Sequence, residues 1–177
     1  MSETIELKFV PDTDAILHTP TQPWSAALGI DPESLVKEMM SIMVLNHGIG
    51  LAAPQVGVNA AVLVMGNRDA GYAYFNPRIL AVGTEIVPGQ EGCLSYPGLY
   101  LNIKRPTTVT VQYEDVKGET HTKDLTGVIA RVFLHEMDHL YGICFVDRTS
   151  ELSVKLAKQR IRKNLKKQGN YESRKRK

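Results

Sequence analysis

The chain has 177 residues, of which 43% are apolar and 23% are charged. This composition suits one globular domain with a substantial core and excludes a chain that is disordered throughout. The longest uninterrupted apolar stretch is residues 60–65, far too short to cross a bilayer, and the first residues lack a secretory-signal pattern. We therefore expect a cytoplasmic protein without a membrane segment, with an organelle or the cytoplasm of a virus-infected host left open.

The charges are unevenly distributed along the chain. Residues 151–177 contain eleven lysines and arginines against two acids, a net charge of +9, whereas the whole chain carries only +2. Residues 1–150 are correspondingly acidic, with a net charge of −7. Such an asymmetry is typical of a basic segment that attaches to an anionic partner. We predict one main domain over residues 1–150 and a basic C-terminal helix and tail over residues 151–177.

The first predicted regular element is a helix that follows an extended N-terminal segment. Three prolines interrupt residues 9–24, which favours extended chain laid over the domain. Asp31 is a suitable N-cap, and Pro32 suits the first helical position. Apolar side chains then recur at helical spacing as far as Asn46, and they are Leu35, Val36, Met39, Ile42 and Met43.

The middle of the chain predicts short strands between two loops. A glycine-rich loop is expected at residues 47–57 and a second loop, dense in glycine and proline, at residues 88–98. Asn76 and Pro77 are expected to end a strand. The strand candidates are residues 60–65, 72–75, 79–82 and 84–87.

The last third of the chain predicts a hairpin and two helices. Residues 107–113 and 119–124 are expected to pair through a turn at Lys117-Gly118. A helix over residues 126–141 would close at Gly142, because glycine is favoured just beyond a helix end. A final amphipathic helix over residues 151–167 would turn Leu152, Leu156 and Ile161 inward. Short antiparallel strands around one or two helices indicate an α+β fold.

The most specific pattern in the sequence is His135-Glu136-Met137-Asp138-His139, an HExxH inside a predicted helix. Residues four apart project from one helix face, so both imidazoles can reach one ion. Glu136 can then take a proton from a water molecule on that ion. The alternative is a pair of polar side chains on a solvent-facing turn. The apolar neighbours favour burial and therefore a metal site.

A site with two histidines needs a third ligand. No histidine follows His139, and Glu151 comes only after a predicted helix stop. Cys93 is a soft donor in a flexible, glycine-flanked segment, although an ordinary buried thiol is its alternative interpretation. For Cys144, which lies in an apolar run, a buried thiol is the expected role. Two cysteines do not suggest a disulfide framework.

Three segments of the chain together resemble the motifs of peptide deformylases. They are GIGLAAPQ at residues 48–55, EGCLS at residues 91–95 and HEMDH at residues 135–139, in the family's order. The resemblance extends from about Phe9 to Arg148. Residues 96–100, YPGLY, are more similar to the organelle-like type 1B branch than to enterobacterial members.

The resemblance implies a fold, an activity and a metal. The fold would place antiparallel sheets around a central helix that bears the HExxH, with an N-terminal helix and a basic C-terminal helix. The enzyme would be a metal-dependent hydrolase that removes the formyl group from formyl-methionyl nascent polypeptides and releases formate. Cys93, His135 and His139 would bind one divalent ion, with a water molecule as fourth ligand. Ferrous iron is the expected physiological ion, and zinc, nickel or cobalt can occupy such a site.

The resemblance also implies roles for residues around the metal. Glu136 would be the proton carrier, and the Gln55 amide and the Leu94 backbone N–H would stabilise the oxyanion. Ile49, Gly50 and Val132 would line the methionine pocket, and Gly92 would let the peptide backbone approach. Alone, the loop containing Gln55 could equally be a packing turn.

A few residues near the motifs need separate expectations. The residue before the first histidine is commonly Gln in the family but is Leu134 here, which affects hydrogen bonding around the site rather than the ligands. Asp138 could fix a ligand ring, pair with Arg105 or Arg131, or be a surface carboxylate. The other histidines have no partner evident from sequence and are expected at the surface or in structural roles, and they are His18, His47 and His121.

The basic C-terminal segment has two interpretations. It is either a solvated helix with a disordered end or a segment that contacts ribosomal RNA near the site where nascent chains emerge. Two further functions compete with deformylation, a different HExxH metallo-amidase or peptidase and a non-catalytic ribosome-associated protein. The intact metal ligands, base and oxyanion residues favour the deformylase. We expect a monomer.

Overall fold

The computed structural model describes residues 6–175, with side chains described for residues 6–165. Within this range the chain forms three α-helices, α1 (Pro32–Leu45), α2 (Gly127–Leu140) and α3 (Glu151–Lys175). The strands are β1 (Gly50–Ala52), β2 (Val62–Gly66), β3 (Gly71–Val82), β4 (Ile86–Cys93), β5 (Tyr96–Pro106), β6 (Thr108–Glu114) and β7 (Thr120–Thr126). Short 3₁₀ helices cover Ala15–His18, Ala26–Leu28, Ala53–Val56 and Phe145–Arg148.

Two antiparallel sheets surround α2. Five strands form one sheet in the order β1-β2-β3-β6-β7, and β4 and β5 form a separate hairpin. Helix α2 contacts both sheets, through β1, β2, β6 and β7 on one side and β5 on the other. The predicted α+β architecture around a central HExxH-bearing helix is therefore confirmed.

Three apolar clusters hold these elements together. Burial of their side chains is the main driving force for folding. The first lies between the five-stranded sheet and α2 and includes Tyr74 and Phe133. The second packs α1 on β1 and β2 through Met39 and Met43. The third joins the β4–β5 hairpin to the N-terminal segment and to α3, around Phe145.

Helix α1 begins and ends as predicted. The side chain of Asp31 accepts a hydrogen bond from the backbone N–H of Ser34 at 2.8 Å, and Pro32 occupies the first turn. Asn46 is the C-cap residue. The buried face consists of Leu35, Met39 and Met43, and Val36 and Ile42 are half-buried.

Strand β3 continues through the position where the sequence predicted an end. Asn76 adopts a left-handed backbone with φ of +48°, and the pairing with β6 shifts between Phe75 and Arg78. The Asn76 side chain bonds the backbone of Trp24 in both directions, at 2.7 and 3.2 Å. The strand therefore bulges at Asn76-Pro77 and resumes, because a bulge tolerates a proline that cannot donate to the ladder.

The two loops predicted around the motifs contain regular structure. Residues 88–98 belong to the β4–β5 hairpin, so that loop prediction was wrong, and the strand expected at 84–87 starts at Ile86 and runs to Cys93. Residues 50–56 form β1 and a 3₁₀ helix rather than a loop. In the N-terminal segment, the extended prediction missed the 3₁₀ helix Ala15–His18, which buries Leu17. The hairpin of β6 and β7 agrees with the prediction, as does its turn, where Gly118 has φ of +81°.

The C-terminal helix α3 is longer than predicted and faces the body differently. Val154, Ala157 and Ile161 pack against the third cluster, whereas Leu152 and Leu156 remain 65% and 45% exposed. The inward orientation of Ile161 is thus confirmed, and that of the two leucines was wrong. No helix among the described residues combines the length and the apolar character needed to span a membrane.

Candidate active site

The HExxH residues form a turn of α2 that is buried all round. The four-residue spacing places the rings of His135 and His139 one turn apart, with centroids separated by 5.3 Å. His139 is completely buried, and His135 and Glu136 are only 7% and 4% exposed. The alternative interpretation, polar side chains on a solvent-facing turn, is therefore wrong.

Cys93 joins the two histidines from the end of β4. Its Sγ lies 3.3 Å from His139 Nε2, and one donor atom each from Cys93, His135 and His139 all lie within 4.8 Å of one another. One thiol and two imidazoles form a donor set that suits zinc, iron and related transition metals. The residues present therefore fit one divalent metal ion.

Glu91 orients the first histidine. Its Oε2 lies 2.9 Å from His135 Nδ1. A carboxylate at this distance holds the ring proton on Nδ1 and leaves the lone pair of Nε2 for a metal, as in many histidine metal sites.

Three arginines bind Glu91 and Asp138. The Arg105 guanidinium donates to both oxygens of Glu91, at 2.8 and 2.9 Å, and to Asp138 Oδ2 at 2.8 Å. Arg131 donates to Glu91 Oε1 at 2.8 Å, and Arg148 binds Asp138 through two nitrogens. Asp138 therefore pairs with Arg105, one of the predicted partners. Because it is only 4% exposed, the surface-carboxylate interpretation was wrong.

Gln55 presents its amide nitrogen to the sulfur. Its Oε1 accepts a hydrogen bond from the Ala52 N–H at 2.8 Å, which fixes the orientation of the amide. Its Nε2 lies 3.5 Å from Cys93 Sγ and donates to Ser95 Oγ at 3.1 Å. A fixed N–H donor next to the candidate metal ligands can stabilise negative charge that develops there.

Burial changes the protonation of Glu136. It raises the pKa of the Glu136 carboxyl to about 7, although positive charge at His135 and Arg105 opposes the rise. Among the described residues, Glu136 Oε2 has no hydrogen-bond partner. A carboxyl group with a pKa near the operating pH can both accept and return a proton.

The two histidines and Glu91 are also perturbed. Burial would lower the pKa of His135, but its contacts with Cys93 and Glu91 dominate and raise it to about 10. Burial lowers the pKa of His139 to about 3, with positive charge at His135 adding to the effect. For Glu91, burial would raise the pKa, yet hydrogen bonds from Arg105 and His135 lower it to about 2.

A cavity of about 550 Å³ opens beside these groups. The residues expected to line a substrate pocket all lie on its wall, and they are Ile49, Gly50, Gly92 and Val132. Leu94 lines it too, as do Tyr100 and Val128, which the sequence did not indicate. At Gly92, a Cβ would lie 2.8 Å from Tyr100 Cε1, so only glycine lets this aromatic ring cover the strand.

Leu134 and Cys144 are buried, and the three histidines outside the HExxH motif lie at or near the surface. Leu134 packs in the first cluster, and its carbonyl oxygen accepts a hydrogen bond from Arg105 at 3.3 Å. Cys144 is fully buried, as predicted. His18 and His47 are exposed. Two of these histidines have partners that the sequence did not indicate, since His18 Nε2 lies 3.2 Å from the backbone oxygen of Asp12 and His121 Nε2 lies 2.9 Å from Asp115 Oδ2.

Sequence reasoning also missed Ser95 and Arg148 as parts of the site. Ser95 is in the EGCLS motif but carries no signal that it accepts the Gln55 amide. Arg148 lies nine residues beyond His139, and its contact with Asp138 depends on how the chain turns after α2.

The comparisons with known proteins agree with one another. A family model described as polypeptide deformylase matches residues 6–155. A protein of Nostoc sp. named peptide deformylase 1 is 42% identical over 150 residues, covering 81% of this chain and 79% of the relative. The crystal structure of a Synechococcus elongatus peptide deformylase with actinonin is similar, with a TM-score of 0.82 and 34% identity over 87% of this chain and 86% of that one. A plant peptide deformylase PDF1B structure gives a TM-score of 0.79 and 33% identity, over 93% and 92%.

Proposed function

The chain belongs to the polypeptide deformylase family, and we propose that Cys93, His135 and His139 bind its catalytic metal ion. It is a metal-dependent hydrolase that removes the formyl group from the formyl-methionyl end of nascent polypeptides and releases formate. Family membership sets aside the two alternatives, another metallo-peptidase and a non-catalytic protein. The ligand assignment depends on one observation, the convergence of the three donor atoms within 4.8 Å.

Glu136 carries the proton in the proposed mechanism. When bound, the ion lowers the pKa of a water molecule and polarises the formyl carbonyl. Glu136 takes one proton from the attacking water as the new C–O bond forms at the formyl carbon. It then gives this proton to the nitrogen of methionine as the C–N bond breaks, so that formate and a free amino terminus result. The pKa of about 7 suits Glu136 to both steps.

Gln55 and Leu94 stabilise the oxyanion in this proposal. Gln55 Nε2 points toward Cys93 Sγ, and its orientation is fixed by the bond from Ala52 N–H to Oε1. The Leu94 backbone N–H follows Cys93 directly and would be the second donor. Donors that are already in place need no reorganisation when the negative charge forms.

The cavity beside Glu136 is the proposed methionine pocket. Ile49 and Val132 contribute apolar side chains, and Gly50 allows the wall to approach Glu136 closely. Gly92, covered by the ring of Tyr100, lies on the wall along which the peptide backbone would approach. A mostly apolar cavity with a few polar groups at one side is typical of sites that bind small ligands.

Ferrous iron is the ion that we propose for this site in the cell, with zinc, nickel or cobalt able to replace it. The donor set of one thiolate and two imidazoles accepts any of these ions. Geometry alone does not choose between them, so the choice of iron rests on the family resemblance.

Formate release from a formyl-Met-Ala-Ser peptide tests the ligand and base assignments. The protein is loaded anaerobically with ferrous iron and compared with Glu136→Gln, Cys93→Ala and Cys144→Ala. Glu136→Gln should keep one metal ion per chain and lose activity, and Cys93→Ala should lose the metal. Cys144→Ala is the matched control and should retain both. Full metal content in Cys93→Ala would contradict the ligand assignment.

The basic face of α3 is the proposed ribosome contact of a monomeric enzyme. Lys155, Lys158 and Arg162 are exposed along one side of the helix, which is the arrangement that phosphate backbones attract. The division into a catalytic unit at residues 1–150 and a basic segment at 151–177 belongs to this proposal. Cosedimentation with ribosomes should fall steeply as salt rises and should be lost when these three residues become glutamate. Lys117→Glu, on the distant β6–β7 turn, is the control.

A further inference from the structure

We propose that Arg148, which lies outside all three motifs, is a positioning residue that holds the metal-binding end of α2 in place. The inference rests on the proposed metal ligands His135 and His139. It concerns how they are kept in position rather than which residues they are.

Arg148, which lies outside α2, forms a bidentate ion pair with Asp138. Its Nε donates to Asp138 Oδ2 at 3.0 Å, and its Nη2 donates to Oδ1. Arg148 belongs to the 3₁₀ helix Phe145–Arg148, and Asp138 is the residue immediately before His139. A two-pronged contact of a guanidinium with a carboxylate fixes direction as well as distance, which a single contact would not.

Asp138 also organises the end of α2. Its backbone oxygen accepts hydrogen bonds from the N–H groups of Tyr141 and Ile143, at 2.9 and 2.8 Å. Its side chain is buried, so both carboxylate oxygens need partners inside the protein. The contact with Arg148 therefore anchors the helical turn on which His139 lies.

The Asp138 carboxylate is also connected to His135, through Arg105 and Glu91. Arg105 donates to Asp138 Oδ2 and to both oxygens of Glu91, and Glu91 Oε2 meets His135 Nδ1. Arg105 is shared between two buried carboxylates, and each has one further arginine of its own, Arg131 for Glu91 and Arg148 for Asp138. Because Arg148 supplies part of the positive charge that Asp138 needs, Arg105 can keep both of its hydrogen bonds to Glu91.

Loss of Arg148 would change how positive charge is shared between Asp138 and Glu91. Asp138 would keep a single arginine for a buried negative charge and would either pull Arg105 from Glu91 or turn toward water. Breaking one partner of a buried ion pair leaves an uncompensated charge, which is costly. The first response loosens Glu91, which contacts His135. The second moves Asp138, which anchors the turn that carries His139. Metal binding should weaken in either case.

Arg148 can be replaced without opening the core. Its side chain is 42% exposed, unlike those of Arg105 and Asp138, which are 5% and 6% exposed. A substitution at residue 148 therefore removes the contact and leaves the apolar clusters intact. This makes it a better probe than any residue deeper in the network.

The experiment measures cobalt and zinc dissociation constants by chelator competition, beside kcat and KM for formyl-Met-Ala-Ser. Arg148→Ala and Arg148→Lys are compared with Arg160→Ala, the matched control on the exposed side of α3. We expect Arg148→Ala to bind metal about 3- to 10-fold more weakly, less than the ~10- to 100-fold typical of a direct ligand partner. The value of kcat should fall with KM unchanged. Arg148→Lys should lie between, because it can restore one contact but not two.

Urea unfolding of the metal-free proteins separates positioning from stability. A lower unfolding midpoint with metal affinity and kcat unchanged would overturn the inference, and so would tighter metal binding. Cys93→Ala is included in the series. If it binds metal as the wild type does, the ligand assignment fails and this inference with it. If it loses metal while Arg148→Ala equals the wild type, the inference alone fails.

Discussion

Gly50 lies directly against Glu136. A Cβ placed on Gly50 would be 2.4 Å from Glu136 Oε1 and 2.8 Å from Val132 Cγ1. Gly50 opens β1, whose backbone is held by pairing with Met65 on β2. The strand therefore forms a wall against the proposed base, and only glycine leaves room for the carboxylate.

Gly50→Ala should displace Glu136 and reduce activity. The added methyl group has no room, and a shift of about 1 Å in a catalytic group typically costs around 100-fold in rate. We expect kcat/KM for formate release to fall about 10- to 100-fold with one metal ion still bound. Gly118→Ala, in a distant turn with φ of +81°, should cost some stability but leave activity unchanged. Equal activity of Gly50→Ala and the wild type would contradict this arrangement.

Gln55→Ala should lower the rate without releasing the metal. The amide of Gln55 is fixed by Ala52 and directed at Cys93, next to the proposed metal site at which the oxyanion would form. Removing one such donor typically costs about 100- to 1,000-fold in kcat. Steady-state kinetics should show a loss of this size with KM nearly constant. A large change in KM with kcat preserved would instead mean that Gln55 binds the substrate.

The parts of the site that could be predicted from sequence are those set by local periodicity or by motifs. Two histidines four residues apart share a helix face whatever the rest of the fold does, and the glutamate is fixed beside the first of them. The residue types around Cys93 fit a metal ligand and a buried thiol equally, and the resemblance to peptide deformylases decides for the ligand. Arg148 could not be found, because its contact with Asp138 depends on the path of the chain after α2.

The fold shows the same division between local and long-range signals. Helix α1 and the β6–β7 hairpin follow from spacing, caps and turn residues. The β4–β5 hairpin was missed because its glycines and prolines resemble a loop. Its glycines reflect close approach, since a Cβ at Gly89 would lie 2.6 Å from the guanidinium carbon of Arg131. Pro88 is tolerated because β4 pairs with β5 alone among the described strands.

Helix α3 shows why an amphipathic pattern alone can mislead. Leucines at residues 152 and 156 offer one apolar stripe, and the smaller side chains of Val154 and Ala157 offer another. In the structure the smaller ones are half-buried against the third cluster, and the leucines stay exposed. Hydrophobic periodicity favoured the leucines, but the face that packs on the body carries Val154, Ala157 and Ile161.

The iron-loaded enzyme should lose activity in air faster than the nickel-loaded enzyme. A thiolate from Cys93 next to ferrous iron is open to oxidation of both the ion and the sulfur. Activity should be followed during aeration, with metal content and free thiols counted at each time point. Cys144 is fully buried and should stay reduced. Equal decay with both metals would contradict this role for iron.

Glu91 should make the metal-free protein sensitive to acid. Its pKa is about 2 in the folded protein, below its ordinary value of 4.5, so ionised Glu91 stabilises the fold. This contribution is complete above the unfolded value and is lost as the pH falls toward 2. Between pH 7 and pH 3 the loss should be about 2 kcal/mol.

Urea unfolding of the wild type and Glu91→Gln at both pH values tests this expectation. The variant should be less stable at pH 7, because three charged neighbours lose their carboxylate, and the gap should shrink by pH 3. A gap that does not change with pH would contradict the role of the ionised carboxylate.

Glu136 should have the opposite effect on stability. Burial raises its pKa to about 7 in the metal-free protein, above the ordinary value of 4.5. The folded state therefore holds its proton more tightly than the unfolded state. Stability is greatest below pH 4.5 for this group and falls as the pH rises through 7, by about 3 kcal/mol in total.

Glu136→Gln removes this penalty and also removes the proposed base. In urea unfolding of the metal-free proteins, the variant should match the wild type near pH 5 and be more stable by about 2 to 3 kcal/mol at pH 8. The same variant should release no formate when loaded with metal. A variant that is less stable than the wild type at pH 8 would contradict this expectation, because it would mean that the buried charge of Glu136 has stabilising partners. The combination of higher stability and lost activity would show that the protein keeps a destabilising carboxylate at this position because the reaction requires it.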